Sequence, residues 1–141
     1  LNENHLAVDP AKPEKKWGEE FRDTVGIALY AMDIHPAKGE KPFLVRALPY
    51  HLPLGSFIPK EGPANVLPAA KNIGATRLAA SSARMHPTEW AIGEVAGALA
   101  AFCLEKGVQP AEVREKDELL REFQARLEQA GMPLRWSEIL R

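Results

Sequence analysis

The residues whose types and spacing could do chemistry lie between Ser81 and Glu89, in the run Ser81-Ser82-Ala83-Arg84-Met85-His86-Pro87-Thr88-Glu89. Two hydroxyls and a guanidinium there meet the start of a helix. With His86 as N-cap and Pro87 as first helical residue, the missing proline N–H costs nothing. The orphan amides of that end, together with the helix dipole, form a site for an anion or a carbonyl edge. Glu89 in the first turn favours the positive helix end. The plain counterpart is a helix start that binds only water, with Arg84 in a structural salt bridge.

Other chemistry-bearing side chains are more scattered. Tyr50 and His51 precede a strand-like segment and are placed either to touch a substrate and move a proton or to fill an interface between structural units. His35, His51 and His86 lack metal-ligand spacing, and no cysteine or carboxylate cluster joins them, so no metal is expected. His5 falls in a polar arm. The lone cysteine, Cys103, sits on an apolar helix face and reads as buried and inert. Trp17, Trp90 and Trp136 read as packing residues.

The elements that must position these groups follow from pattern. The clearest is the helix from Pro87 through Ala91, Val95, Ala98, Leu99, Phe102 and Cys103, ending near Lys106 with Gly107 as left-handed C-cap. Gly93 and Gly97, four apart on one face, permit close packing. A second helix spans about Asp117 to Ala130, with Leu119, Leu120, Phe123 and Leu127 on one face and Gly131 and Pro133 ending it. Thr24 to Met32 reads as a strand or short helix, and Phe43 to Leu48 as a strand. Pro49, Pro53, Pro59, Pro63 and Pro68 restrict the next stretch to short or edge strands. Asn65 to Ala70 is compatible with one such strand, and Gly74 permits a close backbone approach.

Composition sets the frame. The chain has 141 residues, 45% hydrophobic and 26% charged, a globular balance for one domain. A formal charge of −1 gives no field to steer nucleic acid or a membrane surface. The longest apolar run, Ala91 to Leu104, is shorter than a membrane span and contains Glu94. A single cysteine allows no internal disulfide and fits a reducing, cytoplasmic setting. The polar opening from Leu1, without a methionine, carries the expectation of the middle of a longer protein or of a cleaved or unregistered start.

The segment Ala64 to Ala101 resembles the closing part of FAD-dependent oxidoreductases of the glutathione-reductase-type flavoprotein superfamily. Its carriers are Ala75-Thr76, the Ser82-Ala83-Arg84-Met85-His86-Pro87 run and the Gly93 to Gly97 pair, with Ala28 to Pro36 and Pro49 to Lys60 upstream. The resemblance covers roughly residues 24 to 134. It implies an FAD cofactor, with the loop from Lys71 to Thr76 beside the flavin or its ribityl-phosphate arm. It also implies that the helix start at Met85 to Thr88 faces the flavin N1–C2=O2 edge, where negative charge grows on reduction. Two departures stand out: Ala70-Lys71 replaces a glycine–arginine pair, and Arg77 replaces a histidine.

The resulting expectation is an α/β, partial FAD/NAD(P)-binding-type fold of short strands plus C-terminal helices, lacking the N-terminal dinucleotide-binding βαβ unit. No glycine-rich G-x-G-x-x-G turn is present to seat the ADP half. The divisions are a flexible arm (1–23), substrate-domain-like strands and loops (24–63), a flavin-side strand–loop–helix (64–106) and a C-terminal helical segment (107–141). Cofactor contacts are expected at Lys71, Asn72, Thr76, Ser82, Arg84, Met85, His86, Pro87 and Thr88, and no catalytic residue is identified. The expected partners are a small-molecule substrate and a missing N-terminal segment or partner chain, without nucleic acid or membrane. The alternative function is a non-catalytic binding or interaction module derived from the same fold.

Overall fold

A computed structural model describes residues 1–140; Arg141, the last residue of the expected C-terminal helical segment, lies outside them. The strands are β1 (Thr24–Ala28), β2 (Met32–Ile34), β3 (Phe43–Val45) and β4 (Tyr50–Pro53). The helices are α1 (Arg77–Ala83), α2 (His86–Lys106), α3 (Pro110–Glu115), α4 (Asp117–Gln129) and α5 (Trp136–Ile139). The fold is a small α/β one with two antiparallel sheets, β1–β4 and β2–β3.

The β1–β4 ribbon is the floor of the core. Every residue of β4 is buried, and so is nearly all of β1. Pro53 ends the strand and hands the chain to a 3-10 turn at Leu54–Phe57. Helix α2 packs across β1, and α4 packs on both. Ile92, Val95, Leu99 and Phe102 recur at helical spacing and are all fully buried. From α4, Leu120, Phe123 and Leu127 face them, with the Phe102 and Phe123 rings 5.4 Å apart. Gly107 ends α2 with φ 66°, in the left-handed conformation its missing Cβ allows. Cys103 is buried, and burial raises its thiol pKa.

Three expectations change. Residues 65–70 form no strand: Pro68 removes a ladder donor, and neither sheet contains any of these residues. The Ala/Ser run after Thr76 is a helix, α1, whose first turn is capped by the Thr76 hydroxyl at the Ala79 amide. Residues 1–23, expected as a flexible arm, are tied down. Leu6 is fully buried, its carbonyl accepts from the Leu48 amide, and Ala7 bridges Ala47. Gly18 donates to the Pro49 carbonyl at 2.7 Å, and Glu19 to that of His5 at 2.7 Å. No helix among the described residues is long and apolar enough to cross a membrane.

Candidate functional site

The amino end of α2 is where local sequence and cavity meet. Met85, not His86, is the N-cap, with φ −77° and ψ 145°; His86 is the first helical residue. Proline is tolerated in either of the first two helical positions, which moves the start by one residue. Methionine has no oxygen to accept from the first-turn amides, and no side chain caps this end. The backbone N–H groups of His86 and Thr88 belong to the donors that lack an intrahelical partner.

A cavity of about 470 Å³ opens at this point. Met85, Pro87 and Thr88 border it on the helix side, and Trp90, Ala91 and Glu94 continue the wall. Gly26, Ile27 and Ala28 of β1, with Leu29 just beyond it, form a second wall. Gly131, Met132, Pro133 and Trp136 form the third. The lining is mostly apolar, and Glu94 is its one ionisable side chain. Its size lies in the ordinary range for a small-molecule site. Trp90, expected as a packing residue, is 72% exposed and stacks only against the His86 ring, with centroids 6.4 Å apart.

The nine expected cofactor residues separate into groups. Met85, Pro87 and Thr88 line the cavity, and the His86 ring stacks on Trp90, another of its lining residues. Ser82 and Arg84 do not line this cavity and are bonded within the fold. The buried Ser82 hydroxyl donates to the Tyr30 carbonyl at 2.6 Å and lies 3.2 Å from the Tyr50 hydroxyl. Arg84 donates through Nη2 to the Asp33 carboxylate at 2.8 Å and through Nε to the Ser81 carbonyl at 3.2 Å. These bonds fix the bend between α1 and α2, and thereby the direction of the α2 amino end, against the segment that carries β2. Thr76 is occupied as the α1 cap and as a donor to Glu3 at 2.7 Å.

The loop pair lies apart from the cavity. Asn72 accepts from the Ala70 amide at 3.2 Å. Lys71 stands 3.4 Å from the Glu89 carboxylate, whose buried Oε1 has no hydrogen bond. The contact is an ion pair, and it places Lys71 against the first turn of α2. Gly74 makes the close approach its type suggested: its amide donates to the Ser56 carbonyl at 2.7 Å. Gly93 likewise faces the Ala69 carbonyl, 3.3 Å from where a Cβ would stand, whereas Gly97 faces nothing within 4 Å.

Tyr50 and His51 fill the interior rather than the cavity. Burial pushes the Tyr50 phenol up to about 12. His51 is fully buried, and burial holds its pKa below the usual imidazole value. Its Nδ1 lies 2.9 Å from the Glu19 carbonyl and its Nε2 lies 3.3 Å from the Trp136 amide. Trp136 and the 130–133 turn are the cavity residues sequence reasoning missed. Their signal was the Gly131-Met132-Pro133 helix stop, which turns the chain back toward β1. Among the described residues no group of histidine, cysteine and carboxylate side chains could hold a metal ion.

A family model described as FAD dependent oxidoreductase matches residues 2–127. No curated protein and no solved structure matches the chain.

Proposed function

Because the chain belongs to the FAD dependent oxidoreductase family, we propose that it supplies the flavin-facing helix end of such an enzyme, with the ADP half of FAD seated by protein outside these residues. The carrying observation is the uncapped amino end of α2, which opens on a cavity walled by Trp90 and Trp136. The donor set fits the pyrimidine edge of an isoalloxazine: backbone amides at a positive helix end that no side chain caps. When bound, FAD supplies the hydride- or electron-transfer chemistry.

The chain's own residues bind and orient. The His86 and Thr88 amides fix the polar edge, and the Met85, Trp90 and Trp136 side chains exclude water from the ring. Ser82 and Arg84 act one step back, by holding the bend that aims the helix. The space left beside Leu29, Met132 and Glu94 is suited to a small organic substrate. No G-x-G-x-x-G turn is present for the pyrophosphate, so the ADP half gains no contact here.

That asymmetry provides the test. Riboflavin and FAD are expected to quench the fluorescence of Trp90 and Trp136 with affinities within about threefold of each other, while ADP neither quenches nor competes. Competition by ADP, or no quenching by riboflavin at concentrations up to about 0.1 mM, defeats the proposal. The latter result favours a second reading, a non-catalytic interaction module. Two observations speak for that one: the Ala70-Lys71 replacement, and the exposure of Trp90 at 72% and Leu104 at 85% along α2.

A further inference from the structure

His51 lies outside the cavity, yet both of its ring nitrogens face backbone groups with fixed roles. Nδ1 is 2.9 Å from the Glu19 carbonyl, which can only accept, so Nδ1 carries the proton. Nε2 is 3.3 Å from the Trp136 amide, which can only donate, so Nε2 is the unprotonated acceptor. The neutral ring with its proton on Nδ1 satisfies both partners at once. Trp136 is the first residue of α5, so its amide has no partner within that helix. Its indole N–H donates to the Tyr50 carbonyl at 2.9 Å, one residue along β4 from His51. Two adjacent β4 residues therefore hold one tryptophan, and that tryptophan is a cavity wall.

We propose that His51 is a positioning residue for the cavity: neutral, it clasps Trp136 in the wall, and protonated, it lets Trp136 go. The proton has to enter at Nε2, the atom that accepts from Trp136. Two N–H donors then point at each other, and the bond becomes a repulsion. This inference rests on the flavin reading only in what the cavity holds; the clasp itself is a property of the ligand-free chain.

Charges around the ring come from three elements. Glu20, beside the Glu19 carbonyl, and Glu138, on α5, favour the protonated ring, while Arg135, ahead of α5, opposes it. Burial is the largest influence and favours the neutral ring. Opposite His51, β1 contributes Ile27, which carries no charge. Tyr50 stays protonated throughout, with a pKa of about 12.

The sign follows from linkage. Burial holds the clasped ring below the ordinary imidazole value of 6.5, and letting Trp136 go opens the ring to water and relieves part of that burial. Above 6.5 the clasp is fully present. As pH falls from 6.5 toward the clasped value, release becomes up to about tenfold more favourable per pH unit. Below the clasped value the effect levels off.

The test is a titration of the ¹⁵N-labelled native chain from about pH 8 to about pH 5, a range bracketing an ordinary histidine. The His51 ring nitrogens should report the Nδ1–H tautomer at the alkaline end. The Trp136 amide and indole signals should then move together with the His51 ring, at one midpoint below 6.5. Riboflavin affinity should fall over the same interval. In His51→Gln, which cannot titrate at this position, the Trp136 response should vanish. An Nε2–H tautomer, or Trp136 signals that stay still while His51 titrates, overturns the inference. If the variant fails to fold, the native titration decides alone. If riboflavin never binds, the flavin reading fails, and the Trp136 signals still judge the clasp.

Discussion

Alanine at position 18 is expected to lower stability by about 3 kcal/mol, seen as a fall in Tm of about 10 °C. Gly18 is buried where the amino-terminal segment crosses the entry to β4. A methyl group there would overlap the His5 carbonyl oxygen and lie 3.3 Å from the Tyr50 Cβ. The His5 carbonyl cannot give way cheaply, because it already accepts from the Glu19 amide at 2.7 Å. Nor can the chain move toward β4, because the Gly18 amide is bonded to the Pro49 carbonyl at 2.7 Å. Alanine also narrows the unfolded ensemble, worth at most about 1 kcal/mol in the opposite direction, so the collision wins. Gly97→Ala is the control. It lies on the open face of α2, where an added methyl meets nothing within 4 Å, and should raise stability by about 0.5–1 kcal/mol. Thermal melts of the two variants should move in opposite directions. An unchanged Tm in Gly18→Ala would show that residues 1–23 are the loose arm their composition suggested.

That contrast marks where the sequence was legible. What local chemistry dictates could be read: Gly107 demanded a helix end, Leu120, Phe123 and Leu127 demanded a buried face, and Pro87 demanded a helix start. The start was displaced by one residue because proline is equally at home in the first two helical positions. Helix α1 is not announced by pattern, because Ala79, Ala80, Ser81 and Ser82 carry no apolar period; its one local signal is the Thr76 cap. Helix α3 was missed although Gln109 and Glu112 form a reciprocal cap at its start. What depended on distant partners was not legible. The Asp33–Arg84 pair spans 51 residues, and the His51–Trp136 bond spans 85. The cavity is built from four separate stretches of chain, and no spacing in the sequence announces it. Hence three of the nine expected residues line the cavity itself, while Ser82, Arg84 and Thr76 make hydrogen bonds within the fold.

Met85→Asp is expected to make the fold more stable and the site weaker. Position 85 already has the extended N-cap backbone, φ −77° and ψ 145°, that a capping side chain needs. A carboxylate there can accept from the Thr88 amide, in the first turn, and should stabilise α2 by about 1 kcal/mol. The same bond withdraws that amide from a ligand and sets a negative charge at the edge where a flavin carries its own. Riboflavin affinity should therefore drop about tenfold, close to 1.4 kcal/mol. Met85→Ser separates the two causes, since its hydroxyl caps without charge: it should keep most of the stability gain and lose less affinity. Denaturation measured beside fluorescence quenching gives both quantities on one sample. If either variant gains stability with riboflavin binding intact, the α2 amides are not the ligand's partners. If binding weakens as stability rises, the bare methionine cap is explained: the chain forgoes about 1 kcal/mol of helix stability to keep its donors free for something other than itself.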